Sequence, residues 1–488
     1  MSDEPEPAIA ASDLATCLAV LESARTLAPD DPMLLALERA TAHLRKSAKQ
    51  KRKKQRDVVA READRDKRAS TGRWRDWDAA RLPSSASGSP EPEPLDVDPL
   101  HHEQRCYVCK QPYRALHFHY HLLCPGCAAS NWAARTRRTD LAGRRVLLTG
   151  GRIKIGHELA LKLLRDGAEV LVTTRFVRDA VRRFAAAPDF EQWRARVQVI
   201  GIDLRFLPGV LGLAEHLLAE GRPLDILIHN AAQTITRPPA WQRELAEAEA
   251  APLPDDLLGL IGQISDARSS IAARPLALDT GLASALAIAP APPEPFLARV
   301  HALAREAPES EQFPPGRLDE EQRPLDLRDA NSWVLGLEDI EPLELIEAQL
   351  VNAIAPALLT NRLRPLLDRS EFADRHVIFV SAVEGQFAYA RKTHRHPHTN
   401  MAKAALHMLT RTSAERWAKD RIYMVSVDTG WVTQELPEPT KQRLAERGFR
   451  PPLDIVDGAA RVYDPILRAS EGEPIWGCFL KDYAIAPW

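Results

Sequence analysis

Cysteine is scarce in this chain: six occur in 488 residues, and four of them lie within one short stretch. So few thiols exclude a small scaffold held together by disulfides. Charge of one sign is also lacking, because 65 Lys and Arg residues nearly balance 67 Asp and Glu residues, and the net charge of −2 excludes a global polyanion-binding role. No uninterrupted apolar run approaches membrane-spanning length, and the first residues lack a basic segment followed by an apolar one. We therefore expect a folded cytoplasmic protein without a membrane segment.

The chain is longer than one hydrophobic core usually supports, so two or more units are expected. Composition and pattern divide it into four parts. These are a helical N-terminal region with a basic segment (1–82), a linker (83–100), a cysteine-containing module (101–140) and an α/β domain (141–488) with a large insertion at about 233–345.

The N-terminal region has helical apolar spacing, and Asp31 followed by Pro32 predicts the start of its second helix. Between Arg45 and Arg56 that helix carries eight Lys or Arg residues and no acid. We interpret this run as a solvated helical face, because acidic residues nearby cancel its field. The alternative is contact with phosphates or with an acidic protein partner.

The clustered cysteines form two C-x2-C pairs separated by fourteen residues, and they are Cys106, Cys109, Cys124 and Cys127. Four thiolates at this spacing can surround one tetrahedral zinc ion and leave no open position for water. The sequence therefore predicts a structural Zn²⁺ site. Between the pairs, His117, His119 and His121 alternate, which predicts a small β-ribbon whose histidines are not needed as metal ligands.

From residue 141 onward, short buried strand patterns alternate with helix patterns. The predicted strands are 146–148, 170–174, 197–202, 226–229, 377–381 and 422–427. Such alternation is typical of a parallel, doubly wound sheet, so we predict an α/β fold of the Rossmann type. The insertion at 233–345 leaves from a strand end where open α/β sheets bind ligands, so we expect it to cover a substrate. A surface elaboration without contact to the site is the alternative.

The segment LAGRRVLLTGGRIKIG at 141–156 orders a strand, a glycine turn and a helix, which brings backbone N–H groups and a positive helix end to a phosphate. It resembles the TGxxxGxG turn of the short-chain dehydrogenase/reductase family. Four further segments resemble that family in the right order: DL at 203–204, HNAA at 229–232, the helical Asn352, and DTGWVT at 428–433. The resemblance covers about half of the chain.

This resemblance implies a set of cofactor-binding residues. They are Thr149, Gly150, Gly151, Arg152, Lys154, Ile155, Gly156, Arg175, Asp203, Leu204, Asn230, Ala231, Lys403, Thr429, Gly430 and Val432. One glycine of the family turn is replaced by Lys154, whose side chain must turn outward or bind a phosphate. The second strand ends at Thr174 and Arg175, where an enzyme that prefers NAD would carry an acid. With Arg152 in the turn, two guanidinium groups and no carboxylate suit a 2′-phosphate, which predicts NADP rather than NAD.

The family's proton donor is the tyrosine of a YxxxK helix, and here Lys403 is retained while Thr399 occupies the tyrosine position. An aliphatic hydroxyl is far less acidic than a phenol, so another group must carry the proton. Tyr389 and His398 are the candidate substitutes, and Ser381 lies one position before the family's catalytic serine. The candidate catalytic residues are thus Asn352, Lys403, Tyr389, His398 and Ser381.

Two functions follow from these patterns. The first is an atypical NADP-dependent oxidoreductase that transfers hydride between NADP(H) and an unidentified small carbonyl or alcohol. The second is an inactive NADP-binding sensor or scaffold that binds a protein partner through its zinc module or its basic helix. A nucleic-acid-binding role is weaker, because the aromatics of a single-strand platform are missing. The resemblance also implies a homodimer built from helices at 343–363 and from Met401 onward. Burial of their apolar faces against the large insertion is the alternative.

Overall fold

The structure, a computed structural model, describes residues 9–79, 98–262, 310–319, 323–390 and 392–488. Most of the predicted linker at 83–100 and the middle of the predicted insertion therefore lie outside the described residues.

The chain forms two compact units. The first comprises Met1–Lys67 and Leu100–Glu103, and the second comprises Arg68–Pro99 and Gln104–Trp488. The cysteine pairs therefore share a compact unit with the α/β region.

The first unit is helical, with α1 at Ala11–Ala24 and most of α2, which spans Pro32–Ala69. The side chain of Asp31 accepts a hydrogen bond of 2.7 Å from the N–H of Met33, so the predicted helix start is confirmed. Side chains of the basic segment between Arg45 and Arg56 are mostly exposed. Within this unit the carboxylate of Asp64 accepts the backbone N–H of His101 at 2.6 Å.

The second unit contains a nine-stranded sheet and a two-stranded ribbon. The ribbon strands are β1 (Gln104–Arg105) and β2 (Pro112–Tyr113). The sheet strands are β3 (Arg145–Thr149), β4 (Glu169–Thr174), β5 (Val197–Gly201), β6 (Ile226–His229), β7 (Ile261–Gly262), β8 (Arg375–Ser381), β9 (Ile422–Asp428), β10 (Phe479–Lys481) and β11 (Ala484–Ala486). Their order is β11-β10-β9-β8-β6-β3-β4-β5-β7, and every pair except β10–β11 is parallel. The predicted Rossmann-type sheet is confirmed.

The helices that the structure describes in this unit are numbered in chain order. They are α3 (Gly72–Asp78), α4 (Pro125–Thr136), α5 (Lys154–Arg165), α6 (Val177–Ala185), α7 (Phe190–Trp193), α8 (Leu207–Glu220), α9 (Pro239–Ala250), α10 (Asp255–Leu258), α11 (Pro342–Gln349), α12 (Ala355–Asp368), α13 (Pro397–Ala418), α14 (Glu438–Glu446) and α15 (Ile455–Ser470). One apolar core packs α5, α6 and α15 against the sheet, and a second packs α8, α12 and α13 against its other face. Both faces of the sheet are therefore shielded from water, as expected for strands that are hydrophobic along their whole length.

The chain reverses direction across the sheet between β3 and β6. From β3 the chain proceeds through β4 to β5 on one side, while β6, β8, β9 and β10 lie on the other. Between β6 and β8 the insertion adds β7 at the edge beside β5. A crevice opens at the carboxyl ends of strands where such a switch occurs, and open α/β sheets bind ligands there. The elements that follow β3, β4, β6 and β9 therefore border the candidate site.

Among the described residues, the continuous helix Pro342–Asp368 is long and apolar enough to cross a membrane. More than half of its most apolar window is buried, and Leu359 and Leu363 are fully enclosed in the core. We therefore describe it as a core helix of the sheet unit. Within it, Leu350–Ile354 form a single π-type turn.

One structural prediction is wrong. Residues 117–121 form no strand, and the ribbon lies instead at β1 and β2, around the first cysteine pair. The imidazoles turn towards protein partners: Nε2 of His119 lies 3.4 Å from the carboxylate of Asp454, and Nε2 of His121 lies 3.3 Å from the carbonyl oxygen of Arg450. Tertiary contacts with distant segments therefore decide this stretch, and local alternation does not.

Candidate functional site

The turn between β3 and α5 closes so tightly that only glycine fits at two positions. A Cβ atom at Gly156 would lie 2.1 Å from the carbonyl oxygen of Gly150 and 2.5 Å from Nδ2 of Asn230. Gly150 has a φ of +73°, and a Cβ there would meet Ala231 at 2.7 Å. The turn therefore presents bare backbone and the N terminus of α5 at the switch point, as a phosphate group requires.

The ends of the central strands are held together around this turn. The hydroxyl oxygen of Thr149 accepts the backbone N–H groups of Asn230 and Ala231, both at 3.1 Å. Nδ2 of Asn230 donates to the carbonyl oxygen of Gly150 at 2.8 Å. A Cβ at Gly151 would meet a valine of β4 at 2.6 Å. Five residues expected at the cofactor thus form one rigid corner of the sheet.

Lys154 adopts the backbone conformation of the glycine that the family turn would carry. Its φ is +56°, in the left-handed region that side chains with a Cβ rarely occupy. The side chain reaches across the turn, and Nζ lies 2.9 Å from the carboxylate of Glu435. Burial opposes ionisation of that carboxyl, but Lys154 and Arg323 hold the pKa of Glu435 well below its ordinary value. The lysine is therefore engaged by a carboxylate of the chain itself.

The two arginines near the end of β4, Arg152 and Arg175, differ in their ion pairing. Arg152 forms an ion pair with Asp179 in the first turn of α6. In the described part of the chain Arg175 has no ion-pair partner, and its guanidinium lies 5.5 Å from the centre of the Phe176 ring. Two carboxylates lie nearby at the start of α6: Asp179, and Glu249, which accepts the backbone N–H of Arg178. The contact with Glu249 could not be predicted from residues near α6 in the sequence, because Glu249 belongs to the insertion.

Asp203, which was expected beside adenine, forms an ion pair with Arg205. Oδ2 of Asp203 accepts Nη2 of Arg205 at 2.6 Å, and Nη1 of Arg205 donates to Glu347 on α11 at 2.9 Å. Burial raises the pKa of Asp203, but the charge of Arg205 outweighs it and keeps that pKa below its ordinary value. The side chain of Leu204 is buried in the apolar core on one face of the sheet.

Asn352 lies in the π-type turn and holds the chain just beyond β6. Its Oδ1 accepts the N–H of Gln233 at 2.6 Å, and its Nδ2 donates to the carbonyl oxygen of the same residue at 2.9 Å. Both polar side-chain atoms of Asn352 are therefore engaged by the backbone of Gln233, which fixes the connection from β6 into the insertion.

Lys403 lies on α13, partly buried beside the end of β8. Its Nζ donates to the carbonyl oxygen of Val380 at 2.8 Å. Burial lowers the pKa of Lys403 to about 8, although the charge of Glu384 opposes this shift. A lysine in this state exchanges its proton near neutral pH.

The other candidate proton carriers differ in their surroundings. The hydroxyl of Thr399 donates to the carbonyl oxygen of His396 at 3.0 Å, so it is engaged by the backbone at the start of α13. His398 is buried, and its Nε2 lies 3.6 Å from the carboxylate of Glu344 on α11. Tyr389 lies in the loop before α13 and is 37% exposed.

Ser381 has a partner that the sequence analysis missed. Its Oγ and Nε2 of His407 share a hydrogen bond of 2.7 Å, and both side chains are buried. Burial lowers the pKa of His407 to about 4, so the imidazole is neutral at pH 7. The i, i+4 spacing between Lys403 and His407 on a helix was a signal that could have revealed the shared face.

The segment after β9 closes the site from the opposite side. The carboxylate of Asp428 accepts the N–H of Gly430, which has a φ of +77°, at 2.8 Å. Thr429 lies between them, and Val432 is buried against Ile155 at the start of α5. The expected nicotinamide border and the phosphate turn are therefore in direct contact.

Part of the insertion lies over this border. Nδ2 of Asn331 donates to the carbonyl oxygen of Glu435 at 3.0 Å, and the ring of Trp333 stacks on His396 at 4.1 Å. A cleft of about 280 Å³, partly open to solvent, separates the insertion from the segment after β9. Its lining is mostly charged or polar and consists of Ile235, Arg237, Asp319, Arg323, Leu325, Asp326, Asn331, Gln434, Glu435, Leu436, Glu438 and Lys441.

The four cysteines of the two pairs converge on one point. Their Sγ atoms all lie within 4.8 Å of one another, and those of Cys109 and Cys124 are 3.7 Å apart. Sulfur atoms at the corners of a tetrahedron around zinc, about 2.3 Å from the metal, would be separated by about 3.8 Å. The donor set and its dimensions therefore fit one Zn²⁺ ion.

A family model described as short chain dehydrogenase matches residues 144–250, which contain β3 to β6 and the phosphate turn. The uncharacterized protein R665 of Acanthamoeba polyphaga mimivirus is 32% identical over 374 residues, which is 74% of this chain and 71% of that protein. The chain belongs to the short-chain dehydrogenase/reductase family.

Other members of the short-chain dehydrogenase/reductase family match over shorter stretches. The WW domain-containing oxidoreductase of Gallus gallus is 35% identical over 97 residues, which cover 19% of this chain and 22% of that protein. Retinol dehydrogenase 13 of Mus musculus is 31% identical over 109 residues, which cover 22% of this chain and 31% of that protein. This chain therefore spans less than a third of the length of these two relatives.

Solved structures resemble the chain at low sequence identity. The Pseudomonas aeruginosa RhlG/NADP complex is 19% identical with a TM-score of 0.41, and the match covers 70% of this chain and 95% of that one. The angucycline C-6 ketoreductase LanV with bound NADP is 16% identical with a TM-score of 0.42, and the match covers 71% of this chain and 96% of that one.

Proposed function

We propose that this protein is an NADP(H)-dependent oxidoreductase that interconverts a carbonyl and an alcohol. The observation that carries the proposal is the state of Arg175. It stands at the carboxyl end of β4, where the fold places the adenosine ribose, and it lacks an ion-pair partner in the described part of the chain while Arg152 and Arg205 each have one. The carboxylates of Asp203 and Glu347 act on Arg175 only from beyond ion-pair distance, and both are hydrogen-bonded to Arg205. A 2′-phosphate would supply a direct anionic partner for this partly buried guanidinium.

The rest of the corner suits the diphosphate of the same cofactor. The bare backbone of Gly150 and Gly156 leaves no room for side chains, and the N terminus of α5 opens beside it. Lys154 adds a point charge, which the cofactor would share with Glu435. When bound, the nicotinamide supplies or accepts the hydride.

The proton of the reaction is assigned to Lys403. Its Nζ ammonium has a pKa of about 8 because of burial, and it belongs to the only retained part of the family's YxxxK motif. Thr399 is committed to the helix start, and the ring of His398 faces Glu344. We therefore favour Lys403 over both as the group that gives a proton to a carbonyl oxygen.

The substrate is proposed to be small and polar. The cleft beside Glu435 is small and partly open to solvent, and charged side chains such as Arg237 and Arg323 dominate its lining. Those groups would lose hydration without compensation if a large apolar molecule filled the cleft. A hydroxylated or anionic carbonyl compound fits them better.

We also propose that the cysteine cluster holds one structural Zn²⁺ ion. Four thiolates complete its coordination, so the metal has no position for substrate or water and its role is to stabilise the module. Elemental analysis of the purified chain should find about one zinc per molecule. Zinc below about 0.2 per chain in protein purified without chelators would contradict this assignment.

The cofactor assignment is tested by calorimetry with NADPH and NADH. Arg175→Asp should weaken NADPH binding by about 10- to 100-fold, which corresponds to the loss of a hydrogen bond to a charged group, and should change NADH binding by less than about threefold. Arg362→Asp is the control, because it makes the same charge change at an exposed position of α12.

Turnover is then measured with a panel of small polar carbonyl compounds. Oxidation of NADPH by any of them supports the enzyme. Tight NADPH binding without turnover across the panel would instead favour the NADP-binding sensor. Equal loss of NADPH and NADH affinity in Arg175→Asp would overturn the 2′-phosphate assignment.

A further inference from the structure

The first cysteine pair reaches the segment that borders the nicotinamide position. Tyr107 lies between Cys106 and Cys109, and its hydroxyl oxygen accepts the backbone N–H of Trp431 at 2.9 Å. That amide follows Gly430, at which an added Cβ would lie 3.6 Å from the same hydroxyl. The tyrosine therefore touches the segment at the point where its backbone turns through a positive φ.

Apolar packing connects the same three regions. Cys106 and Tyr120 of the cysteine module share one buried cluster with Val432 after β9, and the partly buried Ile155 of the phosphate turn packs against it. A Cβ at Gly458 on α15 would meet both Ile155 and Val432, at 2.8 and 3.2 Å. The module is therefore a wall of the candidate site and is not a remote appendage.

Backbone hydrogen bonds fix the position of Tyr107 within the module only sparsely. Its N–H donates to the carbonyl oxygen of Leu122 at 2.8 Å, and the N–H of Cys106 donates to the carbonyl oxygen of Gln111 at 2.9 Å. The ribbon strands β1 and β2 are two residues each. Elements this short do not hold their geometry alone, so a cross-link through the four sulfur atoms would add to the apolar packing that holds Tyr107.

We propose that Tyr107 is a positioning residue through which the metal-loaded cysteine cluster sets the conformation of the segment at 428–433, and thereby the affinity for the cofactor. The effect on affinity rests on the proposed function, whereas the effect on the segment does not. In this arrangement the metal holds the two cysteine pairs together, the pairs hold the tyrosine, and the tyrosine holds the amide of Trp431.

The test compares Tyr107→Phe with Tyr113→Phe in the full chain. The control removes the same hydroxyl from the same module, but the hydroxyl of Tyr113 donates to His121 within the module. Hydrogen–deuterium exchange is measured without cofactor for the peptide that contains residues 428–434. Zinc content and NADPH affinity are measured on the same samples.

We expect Tyr107→Phe to keep its zinc, to accelerate exchange at Trp431 by about tenfold and to raise the dissociation constant for NADPH about five- to tenfold. For a carbonyl that is turned over, the KM for NADPH should rise while kcat changes by less than about twofold, because the tyrosine acts on binding. Tyr113→Phe should lower thermal stability about as much as Tyr107→Phe does. It should leave the exchange of residues 428–434 and the affinity for NADPH unchanged. Removal of the metal from the wild-type chain with a chelator should reproduce the exchange at Trp431.

Unchanged exchange at 428–434 in Tyr107→Phe would overturn the proposal, and so would an equal effect in Tyr113→Phe. If wild-type protein binds no NADPH but Tyr107→Phe still accelerates exchange, the proposed function fails and the mechanical link stands. If exchange at 428–434 rises in Tyr107→Phe but both variants bind NADPH as tightly as the wild type, the proposed effect on cofactor affinity is refuted.

Discussion

The pair formed by Lys154 and Glu435 offers the sharpest test of how this site departs from its family. Lys154→Gly restores the family's residue and removes the strain of a left-handed lysine, which is worth about 1 kcal/mol. It also leaves the carboxylate of Glu435, whose side chain is only 15% exposed, with one cation fewer. Removal of one partner from a buried pair costs about 3 kcal/mol. The net result should be a loss of about 2 kcal/mol in the free energy of unfolding.

Glu435→Gln should cost less, about 1 kcal/mol, because Nζ of Lys154 lies closer to solvent than the carboxylate does. The double variant leaves neither an unpaired carboxylate nor the strained lysine, so it should be more stable than the sum of the single losses. The coupling energy should be about 1.5–2 kcal/mol. The exposed pair of Arg194 and Glu191 is the control, with an expected coupling of about 0.3 kcal/mol.

Urea unfolding of the sheet unit, followed at pH 7 and again at pH 3.5, measures these differences. Because the pKa of Glu435 is lowered in the folded protein, its contribution is present above its ordinary value of 4.5 and is lost as the pH falls below it. Wild-type protein should therefore lose more stability than Glu435→Gln between the two pH values. A coupling below about 0.5 kcal/mol at pH 7, or a Lys154→Gly variant more stable than wild type, would refute this reasoning.

Two further predictions concern catalysis and assembly. If Lys403 gives the proton, carbonyl reduction should fall as the pH rises through about 8, because only the ammonium form donates, and alcohol oxidation should rise over the same range; rates that stay flat from pH 7 to 9 would contradict this role. On the helical face expected to form a homodimer, Ile354 and Met408 are about half exposed, so Met408→Glu should convert the dimer to a monomer in light scattering, since burial of a charge is costly. A wild-type monomer, or a dimer unaffected by the change, would show that this face is not the interface.

Six of the nine described strands of the sheet were predictable, because each is a short, nearly continuous apolar run that a parallel sheet buries on both faces. The short strands β7, β10 and β11 were not predicted. The predicted 226–229 coincides with β6, and 197–202 exceeds β5 by one residue. The cysteine spacing likewise pointed to four sulfur atoms around one centre, which is the arrangement found. Local chemistry is sufficient in such cases, because the residues that matter lie close together in the chain.

The carboxylates of the site were not predictable in this way. Glu249 reaches the start of α6 from the insertion, Glu435 reaches Lys154 from beyond β9, and Glu347 reaches Arg205 from α11. Each partner is separated by many residues from the group that it neutralises. The β-ribbon expected at 117–121 failed for the same reason, since contacts with Asp454 and Arg450 outweigh the local alternation.

By itself the sequence determined the α/β architecture, the tight glycine corner and the four thiols, because hydrophobic period, the absence of a Cβ and ligand spacing are properties of neighbouring residues. Only the tertiary structure decided which cations are already neutralised by carboxylates. It also decided which distant residues are in contact, such as Tyr107 and Trp431. Electrostatic and packing partners are chosen by distance in space, and a chain that folds back across a sheet brings together residues hundreds of positions apart.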